Sequence, residues 1–369
     1  MASNTTRPID EVSTSEFAET TSSVSIIVAQ AAGDITAWYP WALSTVYLIL
    51  TVGLVLNTIT AIAYLKSSLL THGKPVHQLI FNMTMSDFIC CLVGQPFVLF
   101  QYTEAGARYI MTRKMACISS FIGTYIGFDS TVTSLLLITC ERLFAILFPL
   151  QHMHRVTRRT TRWAIIVTWA LLTIRSSILF FWNKWSYNVA CVGIAVMPDT
   201  YTLYIYNTFL YTCMALIVLL NVVLGFAVIV AKRKAQIMKT SQTMTKSMQS
   251  QIKSAQSELK IVKIVFLAVS VLFVTWIPNN TFANIVLAYM TNRQAPPFDI
   301  LVAYHMTRSV VLVGPVADPL IYFLKNSQCR EAVLKLMGRT AASKAKHSVD
   351  SKTVMTKVSE VMDKSTTDG

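Results

Sequence analysis

Seven apolar segments, each long enough to cross a lipid bilayer, constrain the fold of this chain more than any other feature. A spanning α-helix needs roughly 20 mainly apolar residues. Segments of that length lie at about 40–65, 77–100, 115–148, 163–182, 201–231, 261–290 and 299–324. Only 14% of the residues are charged, whereas soluble domains average about 25%. The pattern predicts an all-α integral membrane protein with a seven-transmembrane helix bundle over residues 38–325.

The distribution of lysine and arginine predicts the orientation of this bundle. Residues 1–37 contain five acidic residues and one arginine, whereas the linkers after the third and fifth segments are rich in lysine and arginine. Because basic residues favour the cytoplasmic side of a membrane, we expect a multi-pass protein whose residues 1–37 form an extracellular tail. Asn4 then begins an accessible glycosylation sequon. No signal-peptide pattern precedes the first segment, so we expect that segment to direct insertion.

The C-terminal residues divide into two parts. Residues 326–338 combine polar and apolar side chains in a pattern that predicts a short amphipathic helix on the inner membrane surface, closed by Gly338. Residues 339–369 are rich in Ser, Thr and Lys and are predicted to form a disordered cytoplasmic tail. Cys329 is either a palmitoylation site near the membrane or simply the apolar residue of the short helix.

Several residues inside the segments carry a resemblance to a known family. The third segment ends in the pair Glu141-Arg142, which is costly in a membrane unless it lies at the inner face and has a partner. Other segments contain Asn57, Asp87, Trp169, Trp276-Ile277-Pro278 and Asp318-Pro319-Leu320-Ile321-Tyr322. In this order and at these depths they resemble the motifs of rhodopsin-type (class A) G-protein-coupled receptors. The resemblance covers about residues 40–337 and implies a plasma-membrane receptor that acts on a heterotrimeric G protein and on arrestin.

The resemblance also implies how such a receptor is held inactive. Arg142 can pair with its neighbour Glu141 or with Glu258, which by helical rise lies at the inner end of the sixth segment. In the family, an arginine–acid bridge of this kind holds the third and sixth segments closed. The alternative for Glu258 is a solvated position at the start of a helix.

Two prolines imply movable parts of the bundle. Pro278 removes a backbone hydrogen bond and kinks the sixth segment. Trp276 can then couple ligand contact to outward movement of the inner half, as the family resemblance implies; a purely structural tryptophan is the alternative. Asp318, Pro319 and Tyr322 belong to an acidic variant of the family's seventh-segment motif, and we expect them to take part in the same switch.

Two cysteines match the family's disulfide. Cys117 lies 25 residues before Arg142, about 37 Å along a helix, and Cys191 lies in the loop before the fifth segment. Both positions would be extracellular, where disulfides persist. By resemblance we expect a Cys117–Cys191 bond that ties the loop across the mouth of the pocket, and two free thiols are the alternative.

The carboxyl group of Asp87 predicts a candidate sodium site. An intramembrane carboxylate needs a partner, a proton or a cation, and the family binds sodium near this acid. Thr131 supplies a hydroxyl where the family has one, but Gly314 stands where a polar side chain is usual. We expect no other metal and no other cofactor.

Asp129 and Arg175 are charged residues that the family does not share. Helical rise places both about 18–20 Å from the inner face, in the third and fourth segments, which are neighbours in the family's fold. Because a lone buried charge is far costlier than a pair, we expect a buried ion pair. The alternative is that one of the charges faces the ligand.

The candidate ligand-binding residues are Thr124, Phe128, Trp276 and Arg308. Thr124 stands where aminergic receptors have their amine-binding acid, and Leu312 where opsins have the retinal lysine, so neither ligand class is expected. Arg308 can bind a carboxylate, a phosphate or a peptide carbonyl, or it can extend to the outer interface instead. The pattern favours a neuropeptide, with a lipid or small anionic ligand as the alternative.

Other classes of protein fit the sequence less well. A transporter would show inverted repeats and broken helices, and a channel would show a filter loop or a ring of charges. An enzyme would need a clustered metal or nucleophile–base motif, which the six histidines do not form. The net charge of +14 comes from residues between the apolar segments, and the sequence contains no nucleic-acid-binding motif. The expected partners are therefore a ligand, a G protein and membrane lipid, and not nucleic acid.

Overall fold

The computed structural model describes residues 39–71, 73–94, 96, 100, 103–187, 191, 193–240, 246–292 and 294–336. The predicted tails and Asn4 lie outside this part of the chain. The side chain of Glu258 is also outside the described set, although the backbone of its helix is within it. The predictions made for these residues therefore remain predictions.

Seven helices have the length and apolarity to cross a membrane. In chain order they are α1 (Tyr39–Lys66), α2 (Pro75–Ile89, extended by the π-helix Cys90–Gly94), α3 (Lys114–Leu147), α4 (Arg158–Phe181), α5 (the π-helix Tyr201–Asn207 followed by Thr208–Thr240), α6 (Lys246–Thr291) and α7 (Phe298–Val311 and Gly314–Lys325). A shorter helix, α8, spans Ser327–Leu336. The described part of the chain contains no β-strand. The architecture confirms the predicted seven-helix bundle with a short C-terminal amphipathic helix.

Helix α3 is the centre of the bundle and packs against α2, α4, α5 and α6. Its buried face contains apolar residues such as Leu135 and Ile138 together with many hydroxyl-bearing side chains. These hydroxyls donate to carbonyls one turn earlier in the same helix, as Thr124 does to Ser120 (2.9 Å). That local bonding satisfies polar groups that would otherwise be costly in an apolar interior.

Helix α4 lies at the periphery and shows the opposite pattern. Its exposed side chains include Trp163, Ile166, Leu171, Ile174 and Phe181. Apolar residues facing outward are expected where lipid replaces water as the solvent. The few buried residues of α4, including Leu172 and Ser176, face α3 and α2.

Helix α7 is interrupted, whereas the sequence predicted a single segment. The N–H groups of Leu312 and Val313 donate to carbonyls three residues earlier, at 3.2 and 3.0 Å, which tightens the chain before the second piece begins. Pro315 has no N–H to donate and suits the first turn of that second piece. Its carbonyl accepts a hydrogen bond from Asn57 of α1 (2.7 Å), so the interruption also joins α1 to α7.

Helix α8 is attached to the bundle by its apolar face. Cys329, Ala332 and Val333 are buried, and burial raises the pKa of the Cys329 thiol to about 11. Acylation needs an accessible thiolate. The structure therefore favours the second reading of Cys329, as an apolar contact of the short helix.

Candidate functional site

The bundle has two ends, called here the disulfide end and the α8 end. At the disulfide end, Cys117 at the start of α3 is bonded to Cys191, with the two Cα atoms 5.8 Å apart. This confirms the predicted disulfide. Gly193, two residues further on, lies so close to α3 that an added Cβ would be 2.8 Å from the hydroxyl of Tyr125. The loop before α5 is therefore held against the half of α3 at the disulfide end.

An aromatic layer lies deeper in the bundle. The rings of Phe128 (α3) and Trp276 (α6) meet edge to face, with centroids 5.3 Å apart, and Trp276 is buried. One turn towards the disulfide end, Tyr125 packs against Tyr206 of α5 at 4.9 Å. Thr124 is buried beside this layer. The structure thus brings Phe128 and Trp276 into direct contact and places Thr124 one helical turn from Phe128.

Arg308 lies in the first piece of α7 and is partly buried. Its charge acts on Tyr125 of α3 and on His305 of its own helix. Both predicted roles of Arg308, a ligand contact and a side chain extended to the membrane interface, remain predictions.

Asp129 and Arg175 form an ion pair between α3 and α4. Asp129 is fully buried, and the side chain of Arg175 is 12% exposed. The guanidinium of Arg175 lies 4.2 Å from the ring centroid of Phe209 and 5.7 Å from that of Tyr206, both on α5. Cation–π contacts of this kind add to a desolvated charge pair. The pair consequently joins three helices.

The aromatic partners of Arg175 are features that the sequence analysis missed. Tyr201 and Tyr206 lie five residues apart in the π-helix at the start of α5, a spacing that places them on one side of a helix with i→i+5 bonding. The hydroxyl of Tyr201 donates to the carbonyl of Arg175 (3.2 Å). The five-residue spacing of the two tyrosines indicates a shared helix face only if the segment is a π-helix, and the sequence did not predict a π-helix there.

Two buried carboxyl groups meet in the middle of the bundle. The carboxyl groups of Asp87 (α2) and Asp318 (α7) are buried and lie near enough to act on each other electrostatically. Thr131 donates to Oδ1 of Asp87 (2.9 Å), and Oδ2 of Asp87 has no donor among the described side chains. Two ionised carboxylates this close repel each other, so the pair needs a shared proton or a cation.

A small cavity adjoins Asp318 and Thr131, and Asp87 is not part of its lining. A cavity of about 20 Å³ is lined by Thr131, Trp276, Gly314 and Asp318, among others. A Cβ added to Gly314 would meet nothing within 4 Å, so this position leaves room where a polar side chain was expected. Carboxylate and hydroxyl oxygens are the ligands that hard cations prefer. Asp318 and Gly314 line the same cavity, so the carboxylate of Asp318 lies beside the space that Gly314 leaves.

At the α8 end, Glu141 forms a buried ion pair with its neighbour Arg142. Oε1 of Glu141 also lies 2.9 Å from Nε2 of His152. His152 belongs to the short helix Pro149–Arg155, which follows α3 directly. The sequence analysis missed His152, because the spacing of a histidine between two apolar segments does not indicate its partner. Of the two predicted partners of Arg142, the structure describes only Glu141.

Tyr322 of the second α7 piece is buried, and its hydroxyl donates to the sulfur of Met83 on α2 (3.6 Å). The family's usual tyrosine partner on the fifth segment is absent from this sequence. Pro319 lies inside the same helical piece, and Pro278 lies inside α6. The predicted switch residues therefore lie in α3, α6 and α7, around the core of the bundle.

The fold and these internal motifs define a receptor of the seven-helix class. Residues 56–322 match the family described as 7 transmembrane receptor (rhodopsin family), and the chain belongs to that family. It is also similar to neuromedin-U receptor 1 of Mus musculus, with 23% identity over 324 residues that cover 80% of this chain and 72% of that receptor. The chain is a multi-pass, rhodopsin-type G-protein-coupled receptor that resembles neuropeptide receptors.

Proposed function

We propose that this receptor lies in the plasma membrane with its disulfide end outside, and that it converts binding of an extracellular neuropeptide into activation of a heterotrimeric G protein. The observation that carries the proposal is the partly buried Arg308, whose charge acts on Tyr125, one helical turn from the Phe128–Trp276 contact. A peptide offers carbonyl and carboxylate groups that an arginine can bind. The similarity to neuromedin-U receptor 1 supports a ligand of this kind.

The proposed mechanism connects the ligand to the α8 end. Thr124, Phe128, Trp276 and Arg308 contact the ligand, and movement of Trp276 swings the inner half of α6 outward about the kink at Pro278. A ligand favours the open state only by the difference between its affinities for the two states. The closed state is held by groups on α3, α6 and α7. Glu141, Arg142 and Glu258 lie at the α8 end, and Asp318, Pro319 and Tyr322 lie in the second piece of α7.

Opening exposes Arg142 to the G protein, and arrestin competes for the same surface. The receptor carries out no chemistry of its own under this proposal, since nucleotide exchange takes place on the G protein. A lipid or small anionic ligand is the second candidate, because Arg308 would bind its charged group equally well.

Replacing Arg308 tests the ligand class. In cells that express the receptor with a panel of Gα subtypes, one member of a neuropeptide library is expected to give a saturable response. Arg308→Gln is expected to weaken that response about 10-fold or more, since a charge-assisted hydrogen bond contributes about 1.5–3 kcal/mol. The control is Arg113→Gln, which removes an exposed arginine stacked on Tyr109 at the same end of the bundle.

Either of two results would count against a peptide contact at Arg308. One is an equal loss in both variants at matched surface expression. The other is a response to anionic lipids alone, which would favour the second candidate.

The carboxyl pair predicts an effect of sodium on ligand affinity. We propose that Asp87, Asp318 and Thr131 hold a sodium ion in the closed state, so that sodium opposes agonist binding. Agonist affinity is expected to be about fivefold or more weaker in a sodium buffer than in a choline buffer of the same ionic strength. Thr131→Val, which removes the hydroxyl, should reduce this effect, while Thr131→Ser should retain it. Agonist affinity that is insensitive to sodium in the unaltered receptor would refute the site.

A further inference from the structure

Three polar side chains connect α5 to α6 in the half of the bundle at the disulfide end. The amide of Asn207 on α5 donates to Oδ1 of Asn284 on α6 (2.8 Å). The amide of Asn284 donates in turn to the hydroxyl of Tyr211 on α5 (2.7 Å). Asn207 and Tyr211 are four residues apart, so both side chains lie on the face of α5 that meets α6. We call Asn207, Tyr211 and Asn284 the α5–α6 clamp.

Hydrogen bonds hold the amide group of Asn284 in one orientation. A side-chain amide has an acceptor oxygen and two N–H donors. The oxygen accepts from Asn207, and the two donors reach Tyr211 and the carbonyl of Asn280, one turn earlier in α6 (2.8 Å). Tyr211 is 47% exposed on the side of the bundle, where lipid replaces water and does not compete for these bonds. The clamp is therefore a directional connection between two membrane helices.

The clamp lies on one side of the kink in α6. Asn284 follows Pro278 by six residues, which is about 9 Å along a helix towards the disulfide end. Trp276 precedes the same proline by two residues, on the α8 side. The proline interrupts the backbone hydrogen bonding between these two parts of α6. The half of α6 that the clamp holds is therefore separated by a flexible point from the half that begins at Trp276.

The contact between α5 and α6 has a different character on the α8 side of the kink. Asn221 of α5 and Ser270 of α6 donate to carbonyls one turn earlier in their own helices, at 2.8 and 2.9 Å. Gly225 of α5 faces the ring of Phe266 of α6, and an added Cβ would lie 3.6 Å from Cζ of that ring. Apolar contacts of this kind are not directional, so the two surfaces can slide past each other.

We propose that Asn284 is a positioning residue for G-protein activation, because the α5–α6 clamp fixes the disulfide-end half of α6 against α5. Movement of Trp276 then displaces the half of α6 on the α8 side of Pro278, while the clamped half stays in place. The inference rests on the proposed function, which supplies the swing of α6, and adds the fixed end of that swing. Without a fixed end, α6 tilts as a whole and its displacement at the α8 end is smaller.

Melting temperatures of purified variants test the clamp without a ligand or a G protein. Tyr211→Phe removes one interhelical hydrogen bond and is expected to lower the melting temperature by about 2 °C. The same change is expected to have no effect in a receptor that carries Asn284→Leu, since the bond is already lost. Thr281→Val is the control, because this exposed hydroxyl of α6 donates to a carbonyl of its own helix (2.9 Å). Equal losses from Tyr211→Phe in both backgrounds would overturn the inference.

Distances between nitroxide labels, measured by electron spin resonance with and without nucleotide-free Gα, test the positioning role. One pair, at Trp163→Cys on α4 and Lys263→Cys on α6, reports the α8 end. The other, at Phe181→Cys on α4 and Ala288→Cys on α6, reports the disulfide end. All four positions are exposed, and the labels are attached in the Cys140→Ser background, which lacks the exposed thiol.

With Asn284 intact, Gα is expected to lengthen the α8-end distance and to leave the disulfide-end distance unchanged. In Asn284→Leu, the α8-end distance should lengthen less, and the disulfide-end distance should change as well. Thr281→Val should behave like the receptor with the intact clamp. Equal lengthening at both ends with Asn284 intact would overturn the inference, and so would an Asn284→Leu receptor whose two distances match those of the intact clamp.

A covalent substitute for the clamp distinguishes a fixed end from a latch that must break. Asn207→Cys and Asn284→Cys, joined by a short bifunctional thiol reagent, should retain the lengthening at the α8 end. Loss of that lengthening on cross-linking would show that the clamp opens during activation, which contradicts the inference. A constant α8-end distance with every Gα subtype would contradict the proposed function and, with it, the positioning role, while the melting temperatures would still report the clamp itself.

Discussion

Replacing Asp129 with Asn, or Arg175 with Gln, is expected to remove most of the receptor from the cell surface. Each change leaves the opposite charge buried without its partner, and breaking a buried pair in this way costs about 3–5 kcal/mol. That is a large part of the stability of a typical protein. The Arg175 side chain also lies against Phe209, so both changes disturb the junction of α3, α4 and α5.

The double variants separate the pair from its surroundings. Exchanging the charges, with Asp129→Arg and Arg175→Asp together, should restore part of the expression lost in each single variant. Asp129→Leu with Arg175→Met should restore it as well, since an apolar pair of similar volume often replaces a buried ion pair at little cost. The control is the exposed pair Lys184–Asp199 (2.6 Å), whose removal should cost under about 1 kcal/mol.

Surface expression by flow cytometry and the melting temperature of the purified receptor provide the measurement. Single variants that are expressed like the unaltered receptor would show that the pair contributes little. Double variants that are each worse than both single variants would show that the two charges act separately, for example with one of them facing the ligand.

Removing the disulfide is expected to abolish the ligand response and to lower surface expression. The bond joins residues 74 positions apart, and constraining a loop of that length contributes about 4 kcal/mol in the chain-entropy account. It also holds Gly193 against Tyr125. Without the bond, the loop before α5 would no longer be fixed over the aromatic layer, and the entrance to the ligand site would be disordered.

Cys117→Ala, Cys191→Ala and the double variant should have equal effects, because one bond is lost in all three. Cys140→Ser, which alters an exposed free thiol in the same helix, is the control. The measurement is the ligand response at matched surface expression. An unchanged response in the double variant would show that the loop needs no covalent attachment.

The seven-helix fold could be predicted because membrane helices obey a length rule. Their approximate bounds follow from the number of apolar residues needed to cross a bilayer. Where the backbone leaves regular α-helical bonding, the sequence did not reveal it. Packing with neighbouring helices, which no local pattern encodes, determines where these irregularities occur. They are the π-helices Cys90–Gly94 and Tyr201–Asn207 and the break after Val311. Helix α6 begins at Lys246, before the predicted segment at 261, because a helix can continue beyond the apolar region.

The candidate site shows the same division. Asp129 and Arg175 could be paired from their depths because an isolated charge in a membrane is so costly that few partners are possible. His152 and Phe209 could not be predicted as partners of Glu141 and Arg175. Histidines in loops and phenylalanines in helices have many low-energy environments, so their contacts depend on helix rotation and loop geometry. The contact partner of a buried charged side chain can therefore be predicted more readily than that of an apolar or neutral side chain.

The measurement that tests the account most directly is guanine-nucleotide exchange on purified Gα subunits by the purified receptor in lipid nanodiscs. A peptide that activates the receptor in cells should accelerate exchange saturably, and Arg308→Gln should shift the concentration dependence to higher peptide concentrations. The contradicting result is a folded receptor that binds the peptide but leaves exchange at the rate of receptor-free controls for every Gα subtype. It would show that this chain does not convert ligand binding into G-protein activation.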